Sequence, residues 1–278
     1  MMPLQNVCFL YNRCKVSCQS NQTNLDFFSM LMRFTWTIFF GAIISIVVSA
    51  LAASYFRAHE LTPIISLVSA LGFWVLALVG TCIAIGWKKA CFAMSALGIF
   101  AFVIETIGLR TGFPYGHFEY GAALSLFTLI GTPIAVFFSW SPLVIGVAGL
   151  LSNISTSYLL RIVWCTVALV LVDIVMDPGA VSLGFWRYMG EPLLDGVPLS
   201  NFAGWIVSGA IGSAIAYYFL PRNSLTGTQR LALSASLFLS LIFWIVTALI
   251  NGLWISVAVG IVLILWLFHR LVTFERVY

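Results

Sequence analysis

The chain has 278 residues, of which 13 are Lys or Arg and 9 are Asp or Glu. Charged side chains make up 8% of it, against about 25% in an ordinary soluble domain. Hydrophobic residues make up 62% and the mean hydropathy is +1.07, which leaves too little polar surface to cover a water-soluble core. Low charge with 15% aromatic residues excludes disorder for most of the chain. A scattered net charge of +4 excludes a nucleic-acid footprint. The composition is that of a protein embedded in lipid.

In chain order, residues 1–32 come first: they are polar, hold Cys8, Cys14 and Cys18, and show no helical period. They lack the basic and apolar regions of a cleaved signal and are read as a disordered extension ahead of one transmembrane domain over 33–278. Apolar runs near the ~20 residues that cross a bilayer predict helices over about 34–56, 61–86, 91–109, 122–139, 158–177, 203–220, 231–250 and 252–270. A second apolar piece at 143–151 is too short to cross alone after Pro142. The expected fold is all-α: a polytopic integral membrane helical bundle of about eight spans in the cell membrane. With the N-terminus inside, Arg13, Lys15, Arg33, Lys88, Lys89, Arg161, Arg222, Arg230, Arg270 and Arg276 face inward, and only Arg57, Arg110 and Arg187 face outward. That asymmetry predicts an N-in, C-in topology. Cys82, Cys91 and Cys165 lie in apolar runs and read as free thiols.

With so few acids, each can be placed. Asp26, Glu60 and Glu275 read as solvated ends; Glu105, Glu119, Asp173, Asp177, Glu191 and Asp195 gather near the outer side. Asp173 and Asp177 are four apart, hence on one helical face with Cβ atoms about 5–6 Å apart. Pro178 is expected to stop the helix and leave Asp177 terminal, where the helix dipole disfavours negative charge. Two carboxyls in a poorly solvated place keep a proton between them, which is what a general acid needs. Glu105 lies inside an apolar run and is a second candidate. The plainer alternative, acids meeting headgroups or pairing with Arg110 and Arg187, stays open, and favours Glu119, Glu191 and Asp195 as solvated groups. His117 and Glu119 form an H-x-E without a second ligand cluster, so no metal is expected.

Two connections are dense in glycine, proline and aromatics: 110–121 and 177–205. An aromatic belt explains their Trp and Tyr but not glycines and prolines at such short intervals. The strings TGFPYGHFEYG, DIVMDPGAVSLGFWRY and GVPLSNFAGW within them resemble the CruF-type carotenoid biosynthesis family of integral membrane proteins. That family includes carotenoid 1,2-hydratases and bisanhydrobacterioruberin hydratase. The resemblance covers about 105–205 and implies hydration of the terminal 1,2 double bond of an acyclic carotenoid to a tertiary alcohol. It implies partners in membrane lipid and in other carotenoid-pathway enzymes, and no cofactor.

Residue roles come from the chemistry of that reaction. A trisubstituted alkene needs a proton at its less substituted carbon, stabilisation of a tertiary cation, and water delivered to the other carbon. Asp173 or Asp177 is the expected acid, its neighbour positioning water, with Glu105 the second choice. Trp186, Trp205 and Tyr115 offer π faces to the cation and Asn201 a water-orienting amide. Phe113, His117 and Glu119 complete the substrate-binding candidates. Two other classes compete: a transporter or proton-coupled carrier using buried acids, and a non-catalytic scaffold for carotenoid enzymes.

Overall fold

The computed structural model describes residues 41–56, 60–124, 126–221 and 225–273. The extension expected over 1–32 and the beginning of the first span lie outside the described residues. The helices are α1 (Gly41–Tyr55), α2 (Thr62–Ile85), α3 (Trp87–Thr111), α4 (Ala135–Leu150), α5 (Tyr158–Ser182), α6 (Leu199–Phe219), α7 (Gly227–Ile250) and α8 (Trp254–Val272). Six of them, all but α1 and α4, are long and apolar enough to cross a membrane. Their outward faces carry Val68 and Val75 on α2, Phe92 and Ile99 on α3, and Val262 and Leu265 on α8, all exposed. Apolar side chains turned outward along whole helices need hydrocarbon around them. The chain is an all-α, multi-pass membrane protein. Among the described residues Cys82, Cys91 and Cys165 are free thiols, as read from the sequence.

The structure corrects the fourth span. Residues 122–139 do not form one helix. Ala122–Leu124 make a single 3-10 turn, and β2 (Thr128–Leu129) pairs antiparallel with β3 (Thr132–Pro133). The chain reverses at Ile130 and Gly131, both at positive φ, where glycine removes the steric cost of the turn. The helix comes later, as α4, and takes Pro142 into its interior. Thirteen of its sixteen residues are buried, so it runs through the middle of the bundle against α2, α3, α6 and α7. Gly146 and Gly149 give α7 room: a Cβ on either would press into Leu237 or Leu233.

A second correction concerns α5. Pro178 does not end it; the helix continues to Ser182. Proline lacks the N–H that would bond the carbonyl four residues back, here that of Ile174. That carbonyl accepts instead from the Ser256 hydroxyl of α8, at 2.8 Å. In a lipid-surrounded bundle a freed backbone group must find such a donor inside the protein. Asp173 therefore lies nine residues, about 14 Å of helix rise, before the end of α5. Other predicted boundaries shift by a few residues. The largest shift that matters is α6, which begins at Leu199 and places Asn201 in its first turn.

The Pro178–Ser256 arrangement predicts a coupled effect on stability. Ser256→Ala is expected to cost about 1 kcal/mol, and much less when Pro178→Ala has restored the N–H. Thermal unfolding of the four proteins of that cycle in one detergent measures the difference.

Candidate functional site

At one end of the bundle, α3, α5 and α6 bring three carboxyls and an amide together. Asp173 and Asp177 lie one helical turn apart on α5, 0% and 1% exposed. Facing them, Asn201 of α6 is 1% exposed and its Nδ2 donates to Asp173 Oδ2 at 2.9 Å and Asp177 Oδ2 at 2.7 Å. Both amide hydrogens are thereby used on the two acids. The other oxygen, Asp173 Oδ1, is buried with no hydrogen-bond donor. Among the described residues neither aspartate has a basic partner; the ion pair there joins Arg187 to Glu119.

A two-stranded ribbon covers this cluster. β1 (Phe118–Tyr120) pairs antiparallel with β4 (Trp186–Tyr188), Phe118 opposite Tyr188 and Tyr120 opposite Trp186. Side chains alternate across a strand, so these four aromatics share the face turned to the bundle. Glu119 and Arg187 face each other on the outer surface, where they are exposed and joined. The Tyr188 hydroxyl reaches Asp177 Oδ2 at 2.6 Å and Asn201 Oδ1 at 2.9 Å. The Tyr120 hydroxyl donates to Glu105 Oε2 of α3 at 2.9 Å. Phe118 stands between the two tyrosines, its ring 5.4 Å from that of Tyr120 and 5.9 Å from that of Tyr188. Glu105, itself half-buried, is near enough to interact with the charge of Asp177. Burial, then the adjacent carboxyls, pushes both phenols well above their usual range. They remain neutral donors.

The other sequence candidates scatter around this centre. The Tyr115 ring is inserted between α3 and α6: a Cβ on Gly108 would come within 2.9 Å of it and one on Gly204 within 2.5 Å. Ser200 holds that loop by donating to the Tyr115 carbonyl at 3.0 Å. Trp205 is buried against Trp140, ring centroids 5.9 Å apart. Trp186 turns inward beside Tyr120, and its Nε1 is buried without a partner. Phe113 is 61% exposed, and the exposed His117 packs over Gly112, so neither joins the cluster. Glu119 does not join it either, since the strand pleat turns it outward. Glu191 and Asp195 are exposed. Both polar atoms of Asn201 engage the carboxyls and Tyr188. Among the described residues no three His, Cys, Asp or Glu side chains converge as a metal-binding set.

Tyr120 and Tyr188 were not among the sequence candidates. The signal for them is the alternation Phe118-Glu119-Tyr120 against Trp186-Arg187-Tyr188, which reads as two short strands with a charged and an aromatic face.

The family described as "Carotenoid biosynthesis protein" matches residues 64–267, a stretch that holds every residue of the cluster and its ribbon. The chain belongs to that carotenoid biosynthesis family. A bisanhydrobacterioruberin hydratase from Haloarcula japonica is 39% identical over 147 residues, 51% of this chain and 50% of the relative. The chain thus spans about half the length of the curated relative it matches. No solved structure matches it. For this member of the carotenoid biosynthesis family, the geometry separates surface from site energetically. Glu119→Gln is expected to change stability by less than about 1 kcal/mol, as exposed ion pairs do. Asn201→Leu leaves two buried carboxyls without their common donor and is expected to cost about 3 kcal/mol. Thermal unfolding of both variants in the same detergent checks the contrast.

Proposed function

We propose that the protein is a carotenoid hydratase, adding water across the terminal 1,2 double bond of an acyclic carotenoid end group by acid catalysis. The single observation that carries this is the Asp173–Asn201–Asp177 cluster, buried in a lipid-facing bundle yet covered by a ribbon whose outer face is charged. A rod-like polyene lying among the helices would present its end group there, within reach of both a protonated group and water. Family membership and the name of the Haloarcula japonica relative support the same reading.

The hydrogen-bond count around Tyr188 supports an acid in this cluster. A phenol has one hydrogen, but the Tyr188 hydroxyl lies within bonding distance of two acceptors, Asp177 Oδ2 and Asn201 Oδ1. A proton on Asp177 resolves the count: Asp177 donates to Tyr188, and Tyr188 to Asn201. Two carboxyls on one amide nitrogen then share one proton, as adjacent like charges in a dry site do. Transfer of that proton to the less substituted alkene carbon leaves a tertiary cation beside the inward aromatic face of Trp186. Water captures the cation. The reaction changes no oxidation state overall and calls for no redox cofactor.

The topology we propose is N-in, C-in with α1 and α4 also crossing, in the cell membrane. Lys88, Lys89, Arg161, Arg230 and Arg270 lie on helix ends opposite the carboxyl cluster, which agrees with basic residues facing the cytoplasm. A single cysteine introduced at Glu191 in a cysteine-free background is expected to react with an impermeant thiol reagent added outside intact cells. One introduced at Lys88 is expected to react only after the membrane is opened.

The function is tested by expressing the full chain in cells that make lycopene. The expected product is a more polar pigment heavier by one or two waters. Asp173→Asn and Asp177→Asn are each expected to lower its rate by about 10²-fold or more, the usual size of a general-acid contribution. Full activity in both variants removes the assignment, and unchanged pigment with the parent chain removes the function.

A further inference from the structure

The ribbon presents two tyrosines to two different carboxyl stations, and the stations are built unlike each other. One holds the paired aspartates, closed from solvent and joined through Asn201. The other is Glu105 alone, half-buried, with the Tyr120 hydroxyl as its donor and no second carboxyl on the same atom. Phe118 fills the space between the tyrosine rings. A phenol that donates to one carboxyl oxygen holds the group in place and leaves the other oxygen to face a ligand. A carboxyl that shares its donor with another acid is favoured in the protonated form. The same ribbon therefore meets a paired carboxyl station on α5 and a single one on α3.

We propose that Glu105 is the general base that takes the proton from the attacking water, and that Tyr120 is the positioning residue that aims it. This rests on the hydratase reading above and divides its labour, giving Glu105 the opposite role from the acid its apolar surroundings first indicated. The step balances. The C1–C2 π bond breaks as the aspartate pair's proton bonds C2. The water oxygen bonds C1 as one of its O–H bonds passes its proton to Glu105. The enzyme then holds a proton on Glu105 and a vacancy on the aspartates, and solvent water returns the proton from one to the other. No oxidant or reductant enters. Glu105 is half-buried, whereas the aspartates are closed off.

Acid and base separate when the cation forms but is not captured, because it then loses a proton and returns to alkene. In heavy water that return leaves deuterium in unreacted substrate. The full-length protein in vesicles, given lycopene in heavy water, is followed by mass spectrometry of both product and recovered lycopene. Glu105→Gln is expected to lose hydration by about 10²-fold while still placing deuterium into recovered lycopene. Tyr120→Phe, which removes one oxygen and keeps the ring, is expected to lower hydration less and to retain the exchange. Asp177→Asn is expected to lose both. A Glu105→Gln protein that hydrates at the parent rate overturns the proposal. So do Glu105→Gln and Tyr120→Phe proteins in which exchange falls together with hydration, since that is the mark of a lost acid or a damaged site. Failure of the parent chain to hydrate lycopene, with no exchange either, is a distinct result that overturns the hydratase reading and this inference with it.

Discussion

Hydrocarbon supplies no hydrogen bonds, so every polar atom below the surface of this bundle depends on a donor or acceptor from another helix or loop. The aspartates of α5 show what this demands. Asn201 of α6 holds them through one nitrogen, Tyr188 of the ribbon reaches Asp177 Oδ2 and Asn201 Oδ1, and the ribbon in turn exists because 118–120 and 186–188 pair. Removing any one of these leaves polar atoms with nowhere to turn. Loops, first helical turns and helix interior are in this sense one assembly, organised around a few oxygens.

The backbone obeys the same rule. Pro178 releases a carbonyl in the middle of α5, and Ser256 of α8 takes it. The exchange keeps the helix running past Asp177, which gives that carboxyl its depth. α5 and α8 are thereby tied at the level where the acids sit, for a reason unrelated to their chemistry.

Much of this was legible in the sequence, and the failures have physical causes. The spacing of Asp173 and Asp177 placed them on one face because four residues is close to one helical turn, and six apolar runs were long enough to announce themselves. The misreading at Pro178 came from a partner 82 residues away, which no local pattern records. The 122–139 run failed because hydropathy does not distinguish an apolar hairpin from a span. Gly131-Thr132-Pro133 was the available warning. Asn201 was found by type, but its helical position depends on α6 starting four residues before the expected boundary. Tyr120 and Tyr188 went unseen because strands of three residues are hard to credit in a chain of helices.

The brevity of α4 has an outcome of its own. At sixteen residues it is about 24 Å long, against about 36 Å for α2 beside it. Thr132, three residues ahead of α4, bonds Thr106 at 2.9 Å, a level one and a half turns below the end of α3. The central helix thus begins below the ends of its neighbours, and the hairpin leading into it turns residues 126–131 outward while Thr132 and Pro133 are buried. That depth lets Thr132 and Thr106 satisfy each other's hydroxyls inside the protein.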